Sequence, residues 1–287
     1  MTRRRIGAST WVLEYPFDPT HGPELIAKMA VLGCSHVELG GEAAGTAAPS
    51  LNAVRRQLER DSLTSSVCGL FSAERDMSST DASIRAAAHA HLLSCFELAD
   101  AIGAYIVVGA LCGTGGRELL SDATRAARLE IARSEIARAS VTAERYGLTL
   151  GFEPLNRYEN NLINTVDDVL SVVEALDSTN VGVHLDVFHG NIEEISLPMA
   201  IRNAGSRLKH LHVVSNQRGA PGDSGYLPWT DIVEALDAVV YDGAMVVEAV
   251  IPYTDLAEAA CVWRPVKGSQ EALIADAMSF LDSLQAV

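Results

Sequence analysis

The sequence predicts an α/β fold, a closed parallel (β/α)8 TIM barrel forming a single domain over residues 1–287. Three observations lead there. Eight short apolar runs each precede an amphipathic stretch of helical period. Runs four to eight are rich in Val, Ile and Leu almost throughout, as strands covered on both faces must be. The length of 287 residues suits eight βα units, and no Pro/Ser linker divides the chain. A doubly wound open sheet competes, but Gly7-Ala8-Ser9-Thr10-Trp11 after the first run supplies no Gly-rich dinucleotide turn.

The units follow one another without a break. Ile6–Thr10 leads to a helix at Glu24–Leu32, which stops at Gly33, and His36–Leu39 leads to Leu51–Arg60. Thr64–Leu70 precedes Ala82–Ile102, capped by Asp81 and ended by Gly103; Tyr105–Ala110 precedes Asp122–Tyr146, capped by Ser121 and ended by Gly147. Thr149–Glu153 precedes Val166–Leu176, capped by Thr165, and Val181–Asp186 precedes Glu193–Ala204, which stops at Gly205. His210–Val214 with Trp229–Val240 and Met245–Val250 with Gln270–Leu284 complete the set.

Composition narrows the class. Hydrophobic residues make up 48% and charged residues 21%, which excludes disorder and a disulfide-stapled miniprotein. Net charge is −15, of which residues 1–143 carry 14 − 16 = −2 and residues 144–287 carry 8 − 21 = −13; such a surface repels phosphate backbones and argues against nucleic acid. The five cysteines, Cys34, Cys68, Cys95, Cys112 and Cys261, are scattered, which predicts buried free thiols in a reducing compartment. Arg3-Arg4-Arg5 is not followed by an apolar signal core, and the uncharged run Ala101–Gly116 is too short and Gly-rich to span a bilayer, so a soluble cytoplasmic protein is expected.

Reactive groups of a barrel belong at the carboxyl ends of its strands. Four consecutive strands end in such residues: Glu153, Asp186, His212 and Glu248, at spacings of 33, 26 and 36 residues, each one βα repeat. Three neighbouring buried carboxylates repel one another unless a cation sits among them. Three carboxylates and one imidazole suit Mn²⁺, Co²⁺ or Mg²⁺ better than a thiolate-seeking metal. His184 and His210 share strand parity with Asp186 and His212, so they should point inward as core or supporting histidines. His89 and His91 lie on a helix and should be solvated. Trp11, ending the first strand, is a candidate pocket wall. Gly222-Asp223-Ser224-Gly225 imitates the nucleophile motif of trypsin-like proteases but lies in a βα loop, and the glycines at 113–116 read as a loop before a phosphate cradle.

Glu153-Pro154-Leu155-Asn156-Arg157-Tyr158-Glu159, Asn164-Thr165, the stretch from Leu185-Asp186-Val187-Phe188-His189-Gly190 to Glu194, His210-Leu211-His212, the loop 216–222, Tyr241-Asp242-Gly243 and Val262-Trp263-Arg264, with Asp76-Met77-Ser78-Ser79, resemble the signature of the ketose 3-epimerases (D-tagatose and D-psicose 3-epimerases) among the xylose-isomerase-like barrels. The resemblance covers most of the chain and is strongest over 150–265. It implies that Glu153, Asp186, His212 and Glu248 are the metal ligands. Glu153 and Glu248 would also be the catalytic pair on opposite faces of the sugar, inverting C3 of a ketose through a metal-stabilised enediolate without an organic cofactor. Glu159, His189 and Arg218 would contact the substrate near its carbonyl and C3 hydroxyl. It also implies a homodimer or homotetramer.

An aldose-ketose isomerase and a lyase eliminating a group beta to a ketone need the same ligands and stay as alternatives. Related abasic-site endonucleases use a many-histidine zinc cluster, which eight histidines, few of them at strand ends, do not supply. Three positions depart from the epimerase pattern: Ser215 stands where Glu is common, Gly190 where Met is usual, and the loop 111–116 lacks bulky aromatics. Together they predict a roomier pocket that admits a substituted or larger keto-sugar.

Overall fold

In the computed structural model, which describes residues 3–223, 225–265 and 268–286, eight parallel strands close on themselves in sequence order. They are β1 (Ile6–Ser9), β2 (His36–Gly40), β3 (Thr64–Cys68), β4 (Ile106–Gly109), β5 (Thr149–Phe152), β6 (Val181–Asp186), β7 (Leu208–His212) and β8 (Met245–Val247). Closure is made by β1 pairing with β8 through Ile6↔Met245, Gly7↔Val246 and Ala8↔Val247. Right-handed crossovers put the helices outside. The helices are α1 (Gly22–Val31), α2 (Ala48–Arg60), α3 (Ala82–Ile102), α4 (Asp122–Arg145), α5 (Val166–Val173), α6 (Val187–Glu193), α7 (Leu197–Ala204), α8 (Trp229–Ala238), α9 (Asp255–Ala259) and α10 (Gln270–Leu284).

The expected caps form. Asp81 accepts from the Ser83 N–H, Ser121 from Thr124, and Thr165 makes a reciprocal capping box with Asp168. Gly33, Gly103 and Gly147 leave their helices at positive φ, where a Cβ would be strained. Several boundaries differ from expectation: β3 and β8, for example, stop at Cys68 and Val247 and not at Leu70 and Val250. The helix predicted at Glu193–Ala204 forms only over Leu197–Ala204, as α7, and an unpredicted α6 precedes it, because Asp186 itself caps α6 by accepting the Phe188 N–H at 2.8 Å and starts a turn directly at the strand end. The seventh strand begins at Leu208 and stops at His212, so Val213 and Val214 belong to the loop. The short α9 has no counterpart in the sequence reading.

Aliphatic residues fill the layer between strands and helices, with Ile26, Met29, Leu92, Phe96, Ile136, Leu150 and Ile274 almost fully buried. The barrel interior is polar instead. His36, Glu38, Ser66, His184, His210 and His212 are all at 0% exposure. Among the described residues no helix is long and apolar enough to cross a membrane. Of the cysteines, Cys34, Cys68, Cys95 and Cys112 are buried free thiols, whereas Cys261 is exposed, contrary to expectation. Ser224 lies outside the described residues.

Strand β1 can pack only as written. A Cβ on Gly7 would fall 1.9 Å from the carbonyl oxygen of His36, which is backbone and cannot give way. Gly7→Ala is expected to destabilise the barrel by about 3 kcal/mol, at the upper end of ordinary overpacking, read as a lowered urea midpoint with unchanged m-value.

Candidate active site

The four strand ends converge as the spacing predicted. Asp186 and His212 are the last residues of β6 and β7 and pair across the ladder; Glu153 and Glu248 directly follow β5 and β8. Each is 8% exposed or less. Ligand atoms of Glu153, Asp186 and His212 lie within 4.8 Å of one another, and His212 Nδ1 is 3.3 Å from Glu248 Oε1.

His212 is held from behind by a residue the sequence reading missed. Glu38 of β2, fully buried, accepts from His212 Nε2 at 2.8 Å, lies 3.0 Å from His210 Nε2 and accepts from the Ser66 hydroxyl at 2.8 Å. Ser66 is in turn 2.9 Å from His36 Nε2. Burial works against the Glu38 charge, but His212 and His210 hold its carboxyl well below the usual range. With Nε2–H committed to Glu38, Nδ1 of His212 is buried and has no hydrogen-bond partner. A carboxylate behind a histidine whose other nitrogen is bare is the arrangement that orients a metal-binding imidazole. Glu153, Asp186 and His212 therefore present a donor set that could hold a metal ion, with Glu248 beside His212. In the chain alone, burial and the neighbouring Glu248 push the Glu153 carboxyl well up. Burial likewise raises Asp186, to about 6, and His212 holds Glu248 down against its own burial.

The three residues expected at the substrate also meet here. The backbone N–H of Asn156 can only donate, and it points at His189 Nδ1 at 3.3 Å, with the Asn156 side-chain amide at 2.8 Å. His189 therefore carries its proton on Nε2. That Nε2 is 3.6 Å from Asp186 and 4.0 Å from Glu153, and it faces Arg218 Nη2 at 3.2 Å. Two neighbouring donors in a buried site can be satisfied by one acceptor oxygen within reach of both. Asn156 also donates to Glu159 at 2.8 Å, which joins Glu159 to the same array. Burial, and then the Arg218 charge, keeps His189 neutral.

Arg218 lies on the β7–α8 loop at φ +61°, a strained setting for a side-chain-bearing residue. Its Nη1 donates to Asp186 Oδ2 at 3.0 Å and to Glu248 Oε2 at 2.7 Å, and its guanidinium stacks 4.0 Å above the Phe188 ring. Trp11 is buried, donates to Glu42 at 2.9 Å and lines the catalytic pocket, of 190 Å³, together with Cys68, Phe71, Thr114 and Leu256.

Other sequence expectations are corrected here. His184 and His210 do point inward, but His89 and His91 are not solvated: His89 bonds Glu135 at 2.7 Å, and His91 is 3.2 Å from Arg75 and packs on Phe71. Gly190 does not enlarge the pocket. A Cβ there would meet Leu197 at 2.7 Å and Leu185 at 3.1 Å, so it is a helix-packing position. Ser215 is spent within its loop, accepting from the Gly219 N–H at 3.0 Å. The glycine loop is no phosphate cradle, since Gly113 N donates to Asp76 and Gly115 N to the Glu159 carbonyl.

The family described as "Xylose isomerase-like TIM barrel" matches residues 26–284. An L-ribulose 3-epimerase of Mesorhizobium japonicum is 31% identical over 72% of this chain and 69% of its own length. The chain belongs to the xylose isomerase-like TIM barrels, and within them to the ketose 3-epimerases. A D-psicose 3-epimerase of Enterocloster bolteae is 42% identical over half of this chain, and the chain spans about half (48%) of that protein's length. In three dimensions, the D-psicose 3-epimerase of Clostridium cellulolyticum H10, solved with D-tagatose, superposes with a TM-score of 0.88 over 99% of both chains at 29% identity.

Proposed function

We propose that the protein is a carbohydrate 3-epimerase that depends on a divalent metal and inverts C3 of a ketose, with Glu153 and Glu248 as the two proton-transferring groups. The observation that carries this reading is the buried Nδ1 of His212, with no hydrogen-bond partner, amid three carboxylates of which Glu153 and Glu248 line a 190 Å³ pocket. The hard, mixed O3N donors favour Mn²⁺. When bound, the cation supplies Lewis acidity to a carbonyl and its neighbouring hydroxyl, making the adjacent C–H acidic enough for a carboxylate to remove.

The chain's own residues do the rest. Glu153 and Glu248 project from β5 and β8, so a sugar between them meets one carboxylate on each face; one takes the C3 proton and the other delivers a proton to the opposite face. His189 Nε2–H and Arg218 Nη2 offer two fixed donors to the oxygen on which negative charge develops. Glu159, tied to His189 through Asn156, accepts from a hydroxyl at the carbonyl end. Trp11, Phe71 and Leu256 give the pocket apolar lining.

Incubation with D-fructose, D-tagatose or D-psicose in D₂O with Mn²⁺ tests the reading. Deuterium at C3 with inversion is expected; label at C1 or C2 would assign an isomerase, and loss of a leaving group a lyase. Glu38→Gln is expected to weaken Mn²⁺ binding by about 10- to 100-fold, the usual cost of losing a residue that orients a ligand. Titration calorimetry reads this directly; a purely structural Glu38 would lower the melting temperature and leave Kd unchanged.

A further inference from the structure

The catalytic pocket opens sideways into a much larger groove of 1130 Å³, and the two cavities share Glu159, Arg218 and Ala260 as their common edge. The groove is walled by Tyr158, Phe188, Ile192, Gln217, Trp263 and Arg264. Trp263 is 71% and Tyr158 69% exposed, two aromatic faces left open beside a catalytic centre. Tyr158 is held in that position. Its N–H bonds Asn156 Oδ1 at 2.9 Å, and its neighbour Arg157 grips Glu193 of α6 with two parallel bonds of 2.9 and 3.0 Å.

We infer that the groove is a subsite for a second, uncharged sugar ring, so that the protein takes ketoses carrying a glycosyl group on the C1 oxygen. This rests on the reading under Proposed function, which sets the carbonyl end of the ketose against Glu159 and Arg218. The shared edge is made by those same two residues together with Ala260. A substituent on C1 starts at that shared edge and passes into the groove; one on C6 starts at the far end of the ketose, away from it. Exposed aromatic faces with polar side chains between them suit a pyranose, which has an apolar face and a hydroxylated edge. A phosphate is disfavoured. The charged residues lining the groove are Glu159, Asp223 and Asp276 against Arg218 and Arg264, and the charge of Arg218 already faces Asp186 and Glu248 through Nη1. The glycosidic bond is untouched; only the C3 proton moves.

Exchange of the C3 proton in D₂O with Mn²⁺ is measured on D-fructose, on trehalulose (glucosyl on O1), on isomaltulose (glucosyl on O6) and on D-fructose 1-phosphate. Trehalulose is expected to exceed D-fructose in kcat/KM by about 10-fold, equivalent to ~1.4 kcal/mol, and isomaltulose to fall below both. Trp263→Ala should remove most of the trehalulose advantage, chiefly through KM, and leave D-fructose unchanged. Exchange in D-fructose without exchange in trehalulose overturns the subsite and leaves the epimerase reading intact. Preference for isomaltulose or for the 1-phosphate, or a trehalulose advantage that survives both Trp263→Ala and Tyr158→Ala, also overturns it. Absence of C3 exchange in every sugar, linked or free, overturns the epimerase reading itself.

Discussion

Glu153→Gln and Glu248→Gln should each abolish net inversion at C3, lowering kcat by about 10²- to 10⁴-fold, the span of a lost general acid–base group. Gln keeps the shape of the side chain and one oxygen donor, so the barrel should fold and the metal content should be measured alongside the rate. The two variants are expected to differ in what survives. A chain with one working carboxylate can still remove and return the C3 proton on that face, so it should exchange deuterium into one epimer and not the other. The second variant should show the reverse preference, and the double variant should be little slower in inversion than either single one, because the pair acts as a unit. Paired NMR time courses on D-fructose and D-psicose read all of this. Inversion surviving in either single variant would sink the two-carboxylate assignment.

Removal of the divalent ion should eliminate C3 exchange altogether, and Mn²⁺ should restore it. The physical ground is the charge at the strand ends. Glu153, Asp186 and Glu248 are 8% exposed or less, and of these three carboxylates the arginine reaching into the cluster, Arg218, hydrogen-bonds Asp186 and Glu248. Unpaired buried carboxylates are costly, so a dication binding the folded chain is also a stabiliser. At a free concentration 100 times Kd the gain is about 2.7 kcal/mol, which corresponds to roughly 5 °C or more in melting temperature for a chain near this size. Thermal scans with EDTA and with graded Mn²⁺ check it. Full exchange activity in a sample stripped of metal, or a melting temperature indifferent to Mn²⁺, would defeat the metal assignment.

Much of this was legible before any coordinates. The period of apolar runs gave eight units in the right order, and α3 and α10 match their expected limits, since strong caps at Asp81 and Ser269 and a long amphipathic pattern leave little freedom. The four proposed ligands were legible because a strand end is a local property: an apolar run that stops on Glu, Asp or His announces itself. His89 was misread for the converse reason. Its partner Glu135 is 46 residues away on the next helix, and helical position alone says nothing of what packs across. Gly190 was misread because a departure from a pattern reveals a change in volume and not its direction.

The sequence by itself determined the barrel, the strand ends and the proposed donor set, all of which follow from hydrophobic period and from where each period stops. Tertiary structure alone decided what supports them. Glu38 was passed over because no local signal says that it meets His212, 174 residues later; that contact depends on how strands β2 and β7 stack their side chains inside the closed sheet. The same holds for Asn156 fixing the tautomer of His189, for Arg218 bridging Asp186 and Glu248, and for the groove beside Trp263. Each joins residues from separate loops at one rim, and only closure of the barrel sets the distances between those loops.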